Sequence, residues 1–188
     1  MVRVGLIYGS TRPGRFCDRV AGWAAEGLRK DGRFELDAID PAALPGVLAG
    51  SNRMQEEPLS LAEQIGLAEA FVVVTPEYNH GYPAPLKSLI DSVGREWQAK
   101  PVAFVSYGGV SGGLRAVEQL RQVFAELHMV TIRDAVSFAG AWEQFDANGR
   151  LLHPERPHRA MTTMLTGLHW WAVALRDARA VAPYAAAA

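Results

Sequence analysis

Apolar, strand-like runs alternate with helix-spaced segments along this chain, and three of the runs end in clusters rich in glycine and proline. Val2–Tyr8 carries Val, Leu, Ile and Tyr and closes on Gly9-Ser10, the pattern of a strand buried on both faces. After the loop 11–15, apolar residues recur at Phe16, Val20, Trp23, Ala24 and Leu28, the spacing of one helical face. Phe34–Ile39 reads as a second strand, ended by Asp40-Pro41. The connection 41–58 is too long for an ordinary turn. Leu61, Ile65 and Ala68 mark a helix before 70–75, the most apolar strand, which Pro76 stops. Leu86, Leu89, Ile90 and Val93 mark a helix, 102–107 a strand, and Leu114, Val117, Leu120, Phe124 and Leu127 another helix. A last strand is expected within 129–138 and a C-terminal helix within 157–179, with Met161, Leu165, Leu168, Ala172 and Leu175 on one face.

Five strand and helix alternations with mostly short connections predict an α/β fold, a parallel sheet covered on both faces. The clusters at 9–14, 76–85 and 108–113 follow the first, third and fourth strands. In an open parallel sheet these carboxyl-end loops lie together and form the ligand crevice. Much of the chain's complement of 18 glycines and 11 prolines therefore belongs to one proposed site. The length of 188 residues fits one domain over 1–188, with a frayed tail at 180–188. Nineteen basic against 20 acidic residues argue against nucleic acid as a partner. Cys17 is the lone cysteine, and neither a secretion signal nor an apolar stretch of membrane-spanning length is present, so a soluble, cytoplasmic protein without membrane insertion is expected.

The segment Gly9-Ser10-Thr11-Arg12-Pro13-Gly14-Arg15 places hydroxyls, guanidinium groups and backbone amides just before a helix N-terminus, chemistry suited to a phosphate. It has neither the dinucleotide G-x-G-x-x-G spacing nor the G-x-x-x-x-G-K-[ST] nucleotide loop. In Pro76-Glu77-Tyr78-Asn79-His80-Gly81-Tyr82-Pro83, two tyrosines offer flat surfaces and a proline-stiffened backbone offers amides to the edge of a planar ring, although a stiff contact loop has the same composition. Glu77 shows no evident acid-base partner in the sequence. Tyr107-Gly108-Gly109-Val110-Ser111-Gly112-Gly113 permits close approach of backbone to ligand.

A rival reading uses the same third loop. Residues 109–113 satisfy G-x-S-x-G, with Asp134 or Asp146 and then His153 or His158 downstream in hydrolase order, making Ser111 a candidate nucleophile. That reading leaves the arginine-bearing first loop without a task. His153, His158 and His169 lack the i, i+4 spacing that converges two imidazoles on a metal, so no metal is expected. Cys17 reads as a packing thiol, and Trp170 and Trp171 as helix packing or an oligomer surface.

The first two loops, with the second extended from Thr75 through Lys87, carry a resemblance over residues 2–138 to the NADPH-dependent FMN reductase family, which includes quinone, chromate and azo-dye reductases. The resemblance implies a flavodoxin-like three-layer sandwich, strand order 2-1-3-4-5, with FMN as cofactor and NADPH or NADH as co-substrate. Ser10, Thr11, Arg12, Arg15 and Phe16 would lie at the FMN phosphate, Pro76, Glu77, Tyr78 and Asn79 would border the isoalloxazine, and Ser106, Gly108 and Gly109 its pyrimidine side. It further implies hydride transfer from NAD(P)H to the flavin and then to a small acceptor such as free flavin, a quinone, an azo dye or chromate, with no protein catalytic dyad, in a homodimer or homotetramer. An electron carrier of flavodoxin type is the alternative, mildly disfavoured by the net charge of -1.

Overall fold

A computed structural model describes residues 1–44 and 59–184. Its strands are β1 (Val2–Tyr8), β2 (Phe34–Ile39), β3 (Ala70–Pro76), β4 (Pro101–Gly108) and β5 (Val130–Ala139), and its helices α1 (Cys17–Asp31), α2 (Leu61–Leu67), α3 (Ala84–Asp91), α4 (Leu114–Glu126) and α5 (Glu155–Val181). The strands form one parallel sheet in the expected order β2-β1-β3-β4-β5. The chain turns outward to β2 on one side of β1 and crosses to β3 on the other. The switch point of the fold therefore lies between the ends of β1 and β3.

Side-chain alternation divides the core. Val72 and Val74 of β3 face a layer built by α1 and α5, whereas Phe71 and Val73 face α3 and α4. Both central strands, β3 and β4, are buried along their whole length, which explains their unbroken apolar sequences. Each fully buried Leu, Ile or Phe contributes about 1.5–3 kcal/mol, so the two layers fix the sheet from both sides. Local chemistry sets the helix ends: Gly32 stops α1 in the left-handed region at φ 73°. Ser60 and Glu63 close a reciprocal capping box on α2.

Several helix boundaries shift. The helix containing Leu86 ends at Asp91, leaving Val93 buried beyond it. The last helix extends past both expected limits, to Glu155 and Val181. Of the long connection after β2, residues 45–58 lie outside the described residues, as do 185–188 of the expected tail. No described helix is long and apolar enough to cross a membrane.

Candidate flavin site

The loop after β1 starts with a contact that only glycine allows. The Gly9 amide donates to Val74 O at 2.7 Å, and a Cβ on Gly9 would lie 2.6 Å from the same oxygen. This pins the loop to β3 at the switch point. Ser10 is fully buried, its hydroxyl 2.7 Å from the Tyr78 hydroxyl. Thr11 is half-buried, Arg12 is exposed, and Phe16 precedes α1 without giving it a side-chain cap. The amides of Thr11, Gly14, Phe16 and Cys17 have no acceptor among the described residues. An uncapped helix start with unpaired donors and the half-buried Thr11 hydroxyl nearby suits a phosphate group.

The two arginines do different things. Arg15 reaches across to the end of β2, where its guanidinium engages both oxygens of Asp40; it also bonds Asp18 at 2.7 Å and the Ser10 carbonyl. The hydrogen bond to Asp40 is the main reason its pKa rises above the usual arginine value. Burial would push the Asp40 carboxyl up, but the Arg15 hydrogen bond, the Ala42 amide and the Arg15 charge together hold it below its ordinary range. Arg15 thus ties β1 to β2 instead of presenting its charge to a ligand. Arg12 has no carboxylate partner among the described residues, and its guanidinium lies 3.7 Å above the Tyr78 ring centre.

The two tyrosines expected to offer flat surfaces differ in their surroundings. Arg12 covers a face of Tyr78, and Tyr82 packs against the α3/α4 core. Pro76 is buried at the end of β3, its carbonyl accepting the Thr75 hydroxyl at 2.9 Å. Beyond it, Tyr78 and Gly81 exchange backbone hydrogen bonds around Asn79 and His80, both at positive φ. The Glu77 and Tyr78 amides are occupied by Tyr107 O and Gly81 O, whereas those of Asn79 and His80 have no acceptor among the described residues. If this loop offers amides to a ring edge, Asn79 and His80 supply them.

The sequence shows no partners for Glu77, and the fold supplies them from the third loop and α4. Its carboxylate accepts hydrogen bonds from the Ser111 hydroxyl at 2.6 Å, the Arg115 amide at 3.2 Å and the Arg115 Nε. It ties the second loop to the third. Ser111 meets no histidine among the described residues, and His158 instead stacks on Trp23. The hydrolase reading therefore lacks its dyad.

The glycines of the third loop are of two kinds. A Cβ on Gly113, at φ +86°, would lie 2.7 Å from Ser106 Cβ and 2.9 Å from Tyr107 N; one on Gly112 would strike Ser137 Oγ. These glycines serve the protein's own packing. A Cβ on the buried Gly108 would also press on Gly113 N, at 3.3 Å, whereas one on Gly109 would meet nothing within 4 Å. The consecutive amides of Gly109, Val110 and Ser111 have no acceptor among the described residues, an open row of donors. Ser106 is fully buried and donates to Gly112 O at 2.8 Å, so it shapes the loop from below instead of lining the crevice.

Asp40, Arg115 and Trp142 were not among the residues singled out from the sequence. Asp40 was visible only as a strand end, and Arg115 as one polar residue of an amphipathic helix. Trp142 is 60% exposed and packs 6.1 Å from Phe16, beyond a Gly140 amide that donates to Gly109 O at 2.9 Å. The Cys17 thiol is buried, and burial pushes its pKa up, consistent with a packing role.

Sheet order and the switch-point loops define the class: a flavodoxin-like α/β protein whose loops after β1, β3 and β4 gather at the carboxyl edge of the sheet. A family profile for NADPH-dependent FMN reductases matches residues 2–143. The chain is 35% identical over 136 residues to an NAD(P)H-dependent FMN reductase of Schizosaccharomyces pombe, covering 68% of each chain. It is 30% identical over 178 residues to an NAD(P)H:quinone oxidoreductase of Solanum tuberosum, covering 88% of this chain and 90% of the relative. The structure of a flavoenzyme NAD(P)H:(acceptor) oxidoreductase of Paracoccus denitrificans superposes with a TM-score of 0.70 at 21% identity, covering 91% of this chain and 97% of that one. The chain belongs to the NADPH-dependent FMN reductase family, and its chemistry is flavin-dependent oxidoreduction with FMN and NAD(P)H.

Proposed function

We propose that the carboxyl-edge loops hold FMN through Arg12, the Thr11 hydroxyl and the free amides before α1 at its phosphate, with Ser10 bracing that loop from below and with Asn79, His80 and the 109–111 amides around its ring. The observation that carries this reading is the set of unpaired amides at 11, 14, 16 and 17 after β1 and at 109–111 after β4, on loops of one sheet edge that flank the loop after β3. When bound, FMN supplies the two-electron chemistry, accepting reducing equivalents from NAD(P)H and passing them to a small oxidised acceptor of the flavin, quinone, azo-dye or chromate type. The residues supply binding and orientation. Arg12 brings an unpaired positive charge to the phosphate loop, and the α1 N-terminus adds its dipole. The Arg15–Asp40 pair keeps that loop in register with the sheet. The donors at 109–111 stand where they can stabilise negative charge on the ring edge.

The chain works as one domain, in a cytoplasmic homodimer or homotetramer. The direct test is an FMN titration of purified apoprotein followed by NADPH oxidation with and without a quinone. FMN capture with quinone-stimulated NADPH oxidation supports the reading; FMN capture without oxidation supports a carrier; no flavin capture overturns both.

A further inference from the structure

We propose that Glu77 is a positioning residue that clamps the two ring-bordering loops together and holds the potential of bound FMN down. The proposal rests on the flavin reading above. Glu77 follows β3 directly, and its side chain is only 5% exposed. Both carboxylate oxygens are engaged from the third loop and α4: Oε2 by the Ser111 hydroxyl and the Arg115 amide, Oε1 by the Arg115 guanidinium. Its own amide donates to Tyr107 O at 3.2 Å, so main chain and side chain are both fixed to β4 and the turn beyond it.

The partners explain why a carboxylate stands here. The residue before α4 is Gly113, which gives the helix no side-chain cap. Glu77 reaches in from another loop and supplies an acceptor to the first turn of that helix. Burial would raise its pKa, but the hydrogen bonds from Ser111 and Arg115 and the Arg115 charge outweigh burial and keep it below the usual carboxylate range. The charged Glu77 side chain stands beside the start of the third loop: a Cβ on Gly108 would lie 3.7 Å from Glu77 Cβ.

Such a charge acts on the redox equilibrium. Two electrons and one proton add one unit of negative charge to the ring system. The α4 N-terminus and Arg115 favour that added charge, and Glu77 offsets both. Removing the carboxylate while keeping its shape leaves Arg115 and the helix end uncompensated, so reduced FMN binds more tightly relative to oxidised FMN.

The test compares three variants of the holoprotein, reading two-electron potential against a reference dye and affinity for FMN and for riboflavin. Glu77→Gln should raise the reduced-to-oxidised binding ratio about tenfold, a potential shift of about +30 mV for a two-electron couple. It should weaken FMN and riboflavin equally, because the clamp makes no phosphate contact. Arg115→Met leaves Glu77 uncompensated and should move the potential the other way. Ser111→Ala keeps the charge and should loosen binding without raising the potential. Should Glu77→Gln fail to fold, the Arg115→Met shift still decides. An unchanged potential in Glu77→Gln, or an unchanged or raised one in Arg115→Met, overturns the proposal. Failure of the unmodified chain to bind FMN overturns the flavin reading itself.

Discussion

The guanidinium of Arg15 is forked onto the carboxylate of Asp40, so the arginine at the end of the loop between β1 and α1 is committed to an internal ion pair. Arg12, three residues earlier, faces no carboxylate among the described residues and rests on the Tyr78 ring. Sequence places the two side by side as equivalent cations. The fold separates them because β2 ends beside β1 and brings Asp40 within reach of only one.

This division predicts different losses. Hydrogen bonds to charged groups contribute about 1.5–3 kcal/mol, so Arg12→Ala should weaken FMN roughly 10- to 100-fold while barely affecting riboflavin, which lacks the phosphate. Asp40→Asn frees Arg15, loosens the loop and should lower thermal stability even without ligand. Fluorescence titration with both flavins checks the first outcome. Equal losses for FMN and riboflavin in Arg12→Ala would show that this arginine does not read the phosphate.

The same pair gives the chain an acid-labile element. The Asp40 carboxyl is held below its unfolded value, so its contribution is present above the ordinary aspartate range and disappears as pH falls through its lowered native pKa. The difference in melting temperature between the unmodified chain and Asp40→Asn should be full near neutrality and shrink towards strongly acid pH. A difference that stays constant down to pH 2 to 3 would assign the stabilisation to packing.

Much of the architecture was legible because hydrophobic period and glycine placement are local properties. The unbroken apolar run of β3 reports burial on two faces, and Gly9 marks a close backbone approach. The side-chain assignments were harder, because partners come from distant positions. Nothing near Glu77 in sequence announces Arg115, 38 residues away, and nothing near Ser106 shows that its hydroxyl turns down to Gly112. The aromatic loop is a related case: composition counts tyrosine rings, but only the fold shows that Arg12 lies on one face of Tyr78 and that Tyr82 packs against the core.

The two kinds of glycine in the third loop make a paired prediction. Gly113→Ala forces a Cβ against backbone atoms in the left-handed region and should destabilise the apoprotein by about 2–4 kcal/mol. Gly109→Ala meets open space and should leave apoprotein stability nearly unchanged, yet weaken flavin binding by placing a methyl group beside the donor row. Denaturant unfolding with an FMN titration separates the two. Full FMN affinity in Gly109→Ala would remove that surface from the site.

At the opposite end of β4, Lys100 is buried and donates to Ile65 O at 2.7 Å and Gly66 O at 2.8 Å, satisfying carbonyls at the end of α2. Burial, reinforced by Arg179 and opposed by Glu96 and Glu69, pushes its pKa from 10.5 to about 8. From about pH 8 to 10.5 the unfolded chain therefore carries more of this proton than the native one. Its contribution to stability must rise with pH across that window. Lys100→Met abolishes the titration, so the unfolding free energy of the unmodified chain minus that of the variant should grow by about 1–3 kcal/mol between those limits. Chemical denaturation at several pH values measures the difference directly. A difference that is flat or falls with pH would mean that the two carbonyls hold the ammonium form at its ordinary strength, making Lys100 a fixed cation clasping α2.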